Sequence, residues 1–438
     1  MRPKSPRVIT DAEAAHVARR FPSYRDLVDD ALFHPAWGYY STGQVRFGEG
    51  GHFDTFPIAL APLFGQMVSA YAFRRWRALG EPAAFEICEL GAGNGQLCLD
   101  VLVAANERAV RRGDAWLRFA EALRYRIIER SPALIARQRQ QLGPLAARVT
   151  WTRGDLTKRA ARGAPFASHG VVFANEVLDC LAHHKVVPGA NGQPGVVFVV
   201  PQLRGRAIPH ADLAAVLSDD RRRRHVTYEE VIVPVERVPG LRPFLRRHYP
   251  EFFAPGKFAP YFACPAIEPL LRNTARLYDT ADALWIDYGH LRAFHLTTAE
   301  RQRVFAGPPR SGATIYRDPG HDDITFMVDF SVVGTAAEQA GLAVEFYGGQ
   351  GELARRSGVR LDARARELIV RYRTLGWMLA VIGVGPERAW QHTGLTWNKA
   401  AGRGGRVRDD VRRGIEEFLG RRRTTFKLMI LRRAAAAG

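Results

Sequence analysis

Long hydrophobic runs, cysteine and lysine are what this 438-residue chain has little of. No apolar stretch approaches the roughly 18 residues that a membrane-spanning helix needs. At 47% hydrophobic and 24% charged, the chain reads as a soluble globular protein without a membrane span. The four cysteines, Cys88, Cys98, Cys180 and Cys264, show neither C-x-x-C spacing nor disulfide-like density, which predicts a reducing compartment, taken as the cytoplasm. The start, MRPKSPRVITDAEAAHVARRF, lacks the apolar core of a secretion signal, and Asp11 and Glu13 count against an organelle transit peptide.

Only six of the 63 basic residues are lysine, so arginine carries the net charge of +19. Such a bias, beside abundant alanine, fits a coding preference as well as selection for phosphate binding. The runs RRRR (221–224) and RRR (421–423) have no interleaved aromatics, which favours a generally basic solvated surface over a specific nucleic-acid face.

What the chain does have is alternation. At this length one hydrophobic core stops growing, so a main domain plus a second module or large insertions is expected. Residues 11–80 read mostly as helices, broken by HPAWGYYSTGQVRFGEGGHFDTFP, a stretch too punctuated by glycine for regular structure. From Phe85 short apolar strands alternate with amphipathic helices: FEICEL and QLCLDVLVAANERAVRR, RYRIIE and SPALIARQRQQL, then RVTWTRGD and GVVFANE. This predicts βαβ units and an α/β, doubly wound, Rossmann-like parallel sheet that binds ligands outside the carboxyl ends of its strands. A stretch of different character, with strand-like GVVFVVP and HVTYEEVIVPVERV, precedes the next core-like strand, ALWIDYGH (283–290). The expected organisation is an N-terminal helical region (1–80), a sheet domain (81–185 and 281–438) and an inserted cap or substrate module (186–280). Helical segments are expected to about residue 420, with TTFKLMILRR as the last strand.

In FEICELGAGNGQL (85–97), Glu89 stands two residues before Gly91, Gly93 and Gly95. A dinucleotide turn reads G-x-G-x-x-G, and here the third glycine comes one residue too early. The order E/D-x-G-x-G-x-G after a first strand resembles motif I of class I S-adenosylmethionine-dependent methyltransferases. Glycine lets the backbone lie close to a ligand, the following helix N-terminus is electropositive, and a carboxylate suits the ligand's sulfonium and ammonium. A tight turn without a ligand and a nicotinamide or flavin site are the competing readings. Glu129, ending RYRIIE, is placed to accept ribose hydroxyls, against a solvated strand cap. Asp155 in TRGDL is placed where methyltransferases meet the adenine amino group, against a turn-forming aspartate.

Further segments resemble the MidA-like family, once called domain of unknown function 185, to which the mitochondrial complex I assembly arginine methyltransferase belongs. They are HPAWGYYST (34–42), GEGGHFDTFPIALAPLFGQ (48–66), ELGAGNGQLCLDVL (89–102), ERSPAL (129–134), FANEVLDCLAHHKV (173–186), IDYGH (286–290), DPGHDDITFMVDF (318–330) and QGELARRSGV (350–359). They run in the family's order over most of the chain. The chain departs from the pattern at His52 and Ile58, where the family has carboxylates, and at Ala92 and Asn94 in the glycine turn. The resemblance implies a methyltransferase using S-adenosyl-L-methionine, with protein arginine as the family's substrate type, held by Glu89, Gly91, Gly93, Gly95, Glu129, Asp155 and Asn175.

ANEVLD places Asn175, Glu176 and Asp179 after the fourth strand, towards the transferred methyl group. Carboxylates there can hold a guanidinium or accept a proton, while a helix-terminal charge is the plainer reading of Glu176. Asp287 and Tyr288 of IDYGH end a strand at the same sheet edge, and Glu176, Asp179 and Asp287 are the candidate catalytic residues. HHK (183–185) and HDD (321–323) lack a recognised metal spacing, so no metal is expected. A small-molecule acceptor is the alternative to a protein substrate. An RNA acceptor ranks lower, because ANEV stands where base methylases carry N-P-P-Y.

Overall fold

The computed structural model describes residues 6–43, 45, 47, 55–158, 166–189, 192–254, 258–291, 302–305, 315–361, 415–416, 418–419 and 426–433. His52, the helices expected between 362 and 414 and the arginine run 421–423 lie outside the described residues.

The chain divides into two units, one of residues 1–44, 178–267 and 291–332, the other of residues 45–177, 268–290 and 333–438. The second unit holds the doubly wound sheet. Its strands are β1 (Phe85–Leu90), β2 (Leu123–Glu129), β3 (Val149–Arg153), β4 (Ala167–Asn175), β5 (Tyr278–His290), β6 (Leu342–Gly349) and β7 (Phe426–Arg433). They lie in the order β6-β7-β5-β4-β1-β2-β3. β1 to β5 run parallel, and β7 runs antiparallel to both β5 and β6. All six residues of β1 are buried, as a central strand covered on both faces requires.

The helices follow from apolar spacing and caps. In α1 (Leu63–Ala78) the buried residues Phe64, Met67, Val68 and Tyr71 recur at helical spacing, and Phe64 meets Phe173 of β4 edge-on at 6.0 Å. After α2 (Gln96–Arg112) comes α3 (Asp114–Ala122), whose Trp116 stacks on Phe73 of α1 at 3.9 Å. α4 (Pro132–Leu142) opens with proline in its first turn, and the Ser131 hydroxyl accepts from Leu134 N–H at 3.2 Å. One polar hub lies within this core. Asp282 of β5, its side chain fully buried, accepts from Tyr71 at 2.6 Å and Arg432 of β7 at 2.9 Å, and pairs with Arg75 at 2.8 Å.

The first unit has its own sheet, in which Arg7–Val8 pairs parallel with Val226–Pro234. Antiparallel pairing then runs through Pro194–Leu203 and His184–Pro188 to Tyr261–Ala263. Pro22 C=O accepts from Val199 N–H at 2.9 Å, so the helices Asp11–Arg20 and Tyr24–Phe33 belong with this sheet. This division differs from the expected one. Residues 1–44 group with the insertion, and Val45 to Ala78 group with the doubly wound sheet, because each segment buries its apolar face against the sheet of its own unit.

Candidate cofactor and acceptor site

The glycine turn joins β1 to α2. Gly91, Gly93 and Gly95 all adopt positive φ, at 62°, 53° and 86°, a region that side chains other than glycine's rarely occupy. Gly91 N–H donates to Ile128 C=O of β2 at 3.0 Å, and Gly95 N–H to Ala92 C=O at 2.8 Å. The buried Asn94 accepts from Gln96 N–H at 3.1 Å, so the residue standing where the family has arginine stitches the turn to the start of α2. A Cβ on Gly91 would come within 3.2 Å of Val177, and one on Gly95 within 3.3 Å of Gln138. The turn is a cradle that only glycine fits, with the positive end of α2 behind it.

Two buried carboxyl groups stand at the ends of the adjacent strands. Glu89 accepts from the Tyr125 hydroxyl at 2.7 Å. Burial pushes its carboxyl up to about 7, neighbouring Glu129 adds to the rise, and the tyrosine opposes it. Glu129 accepts from Ser131 N–H at 2.9 Å and from Gln138 Nε2 at 3.1 Å, and burial raises it as well. Gln138 also donates to Gly93 C=O at 3.1 Å and accepts from Trp151 Nε1 at 3.1 Å, so α4 and β3 fix the turn and Glu129 together. Asp155 turns one oxygen back on Thr157, at 2.9 Å to its N–H and 2.6 Å to its hydroxyl, and its other oxygen lies 3.5 Å from Arg130. The turn-forming aspartate weighed from the sequence is therefore present at Asp155.

β4 and β5 run parallel in register, Asn175 beside Ile286, which brings Asn175 and Glu176 next to Asp287 and Tyr288. Glu176 has φ 52°, left-handed for a side chain that disfavours it, and is held by Glu176 N–H donating to Ile286 C=O at 2.8 Å and by Asn175 Nδ2 donating to its carboxylate at 3.0 Å. The Asn175 Oδ1 atom is buried without a hydrogen-bond partner among the described residues. Asp287 is 1% exposed and accepts from Tyr288 N–H at 2.9 Å, and the Tyr288 ring meets Phe426 edge-on at 5.6 Å. An orphaned buried acceptor and a glycine cradle beside paired carboxyls fit a ligand with hydroxyl and ammonium donors.

The unit boundary falls between Val177 and Leu178, so Asp179 belongs to the first unit. There it is buried, accepts from the Cys180 thiol at 3.4 Å, and its main-chain oxygen accepts from Phe326 N–H at 3.0 Å. In the same unit Asp323 accepts from Tyr40 at 3.0 Å, and burial, with Asp179 nearby, pushes it up to about 7. The His183 ring stacks on Phe326 at 4.1 Å and burial lowers its basicity to about 3, while His184 falls to about 4 for the same reason. Among the described residues no group of three His, Cys, Asp or Glu side chains is placed to hold a metal ion, and no helix is long and apolar enough to cross a membrane.

Sequence reasoning gave no place in this arrangement to Tyr125 or Gln138, and read Asn94 only as a departure from the family's turn. Tyr125 was findable, since it lies on the same strand face as Glu129, at i and i+4 of an apolar strand. Gln138 and Gln141 are buried polar residues on a helix face that also carries Leu134, a weaker signal.

A fold and a site of this kind define a class I methyltransferase. Residues 67–348 match the family model described as "Putative S-adenosyl-L-methionine-dependent methyltransferase", and the chain belongs to this family, the MidA-like methyltransferases, whose cofactor is S-adenosylmethionine. The mouse protein arginine methyltransferase NDUFAF7, mitochondrial, is 29% identical over 330 residues, 72% of this chain and 65% of that protein. The Drosophila melanogaster homologue is 40% identical over 73 residues, 17% of this chain and 16% of that protein. The chain thus matches 16%, 51% and 65% of the length of the fly, zebrafish and mouse relatives. A COG1565 superfamily member from Burkholderia thailandensis, solved with S-adenosyl-homocysteine bound, superposes with a TM-score of 0.63 at 20% identity, covering 99% of this chain and 96% of that one, a likeness of fold.

The relatives are named as mitochondrial proteins, which overturns the cytoplasmic expectation. That expectation rested on cysteine usage, which reports a reducing environment and does not separate one reducing compartment from another.

Proposed function

We propose that the chain transfers the methyl group of S-adenosylmethionine to an arginine side chain of a protein. The observation that carries this reading is that Glu176 and Asp287 directly follow the register pair Asn175–Ile286 at the carboxyl ends of neighbouring parallel strands, in a sheet with a glycine cradle of the methyltransferase type. The relatives named as protein arginine methyltransferases support it.

In this reading Gly91, Gly93 and Gly95 bring the backbone against the cofactor, Glu89 faces its cationic end, Glu129 accepts its ribose hydroxyls, and Asn175 offers its free Oδ1. Asp155 stays at the adenine end with one oxygen already committed to Thr157. The cofactor supplies an electrophilic methyl group, and the protein's part is to orient the acceptor and exclude water. Glu176 and Asp287 hold the guanidinium by charge-assisted hydrogen bonds and take up the proton it releases.

The test is isotopically labelled S-adenosylmethionine incubated with the chain and a library of arginine-containing peptides, read by mass spectrometry. Label on arginine supports the reading. Label only on small molecules added in parallel would replace the protein acceptor with a small-molecule one.

A further inference from the structure

We propose that Phe47, held in place by Arg137, is a further wall of the cofactor site, so that a segment far upstream of the glycine motif positions the cofactor. The inference rests on the reading that the turn Gly91–Gly95 holds S-adenosylmethionine, and adds to it a residue outside any cofactor motif of the sequence.

Val45 and Phe47 come from a glycine-punctuated stretch without regular structure, and they are 1% and 5% exposed. The Phe47 ring lies against the middle of the glycine turn. A Cβ built on Gly93 would sit 3.1 Å from Phe47 Cε1 and 3.4 Å from Cζ, and those are the atoms it would meet first. Gly93 therefore has two reasons to lack a side chain, its φ of 53° and the ring beside it.

The ring is fixed from the neighbouring helix. Arg137 Nη1 donates to Val45 C=O at 2.8 Å, and the Arg137 guanidinium lies 5.4 Å from the centroid of the Phe47 ring. The next residue, Gln138, donates to both Gly93 C=O and Glu129. Adjacent residues of a helix point about 100° apart, so Arg137 and Gln138 reach different partners from one turn of α4. Through these two side chains α4 ties together the upstream segment, the glycine turn and the ribose-side carboxylate. An apolar ring on the turn keeps water from its backbone, which strengthens the attraction between Glu89 and a cationic ligand.

The experiment is calorimetric titration of the full chain with S-adenosyl-homocysteine, alongside melting of the ligand-free protein. Phe47→Ala should raise the dissociation constant about tenfold or more, equivalent to at least about 1.4 kcal/mol, and Phe47→Met should recover most of the loss because it restores apolar bulk. Arg137→Ala should weaken binding less than Phe47→Ala, and the double variant should be little weaker than Phe47→Ala alone, because both act through one ring. If Phe47→Ala fails to fold, Arg137→Ala and Phe47→Met carry the test, and S-adenosyl-homocysteine affinity unchanged in Arg137→Ala overturns the proposal. Equal binding by the unmodified chain and Phe47→Ala overturns it too. No binding by the unmodified chain overturns the cofactor reading, and this inference with it.

Discussion

The Tyr125 hydroxyl donates to the Glu89 carboxylate at 2.7 Å across two neighbouring parallel strands, β2 to β1. Among the described residues it is the contact that draws Glu89 towards its charged form, against burial and Glu129. The acid–base balance of the candidate cofactor site therefore depends on a tyrosine that need not touch a ligand.

That balance gives the first prediction. The Glu89 carboxyl, pushed up to about 7, binds its proton more tightly in the folded chain than in the unfolded one. Its share of ligand-free stability is present at low pH and lost as pH rises through about 7. Affinity for a cationic cofactor has the opposite sign, since the ligand needs the carboxylate. Titrations between pH 5.5 and 8 should show affinity falling by up to about tenfold per unit below pH 7 and levelling off above it. Tyr125→Phe should move the inflection upward, and Glu89→Gln should remove it. A flat profile in the unmodified chain would take Glu89 out of the cofactor's charge balance.

Gly93→Val forces a branched side chain into left-handed backbone and against the Phe47 ring. Cofactor binding should fall by about 100-fold or more, the combined effect of strain and a displaced wall. Gly154→Ala is the control, since a Cβ there meets nothing within 4 Å. Similar affinities in the two variants would count against the turn as the cofactor cradle.

Glu176→Gln should leave S-adenosyl-homocysteine affinity nearly unchanged while lowering turnover about 100-fold, the scale on which a positioning or proton-accepting group acts. The φ of 52° adds a second arm. Glu176→Gly should melt no lower than the unmodified protein, because glycine accepts that backbone without strain, yet lose the same activity. Normal turnover in either variant would shift the acceptor role to Asp287 and Tyr288.

Removing Asp282 takes a buried partner from two half-buried arginines, of which Arg432 keeps Glu345 at 3.0 Å, and from the buried Tyr71 hydroxyl. Asp282→Ala should cost about 3–5 kcal/mol of stability, as breaking a buried ion-pair network does. Asp282→Asn keeps the volume and one acceptor and should cost less. Chemical denaturation measures both, and equal midpoints for all three proteins would show that the hub contributes nothing to stability.

The sheet was legible because several of its strands are short, largely apolar runs set between helical patterns, so FEICEL, RYRIIE and ALWIDYGH could be placed in order along the chain. Glu89 and Glu129 were legible for the same reason, standing at strand ends where the backbone turns. Phe47 and Gln138 were not, because their roles depend on which segments meet in space, and neither periodicity nor a local motif encodes that. The grouping of residues 1–44 with the inserted sheet was hidden likewise, since a helix's apolar stripe does not name the surface it covers. The Glu176 backbone was invisible from composition, because nothing about glutamate announces a left-handed conformation.

The strand nearest the end of the sequence, β7, is not at the rim of its sheet but between β5 and β6. During synthesis β5 must wait beside an unfilled slot until residues 426–433 leave the ribosome, and β6 has no neighbour in this sheet until then. A premature stop only a short way before residue 426 would leave two open strand edges facing a gap, a template for pairing with another chain rather than a trimmed but working enzyme.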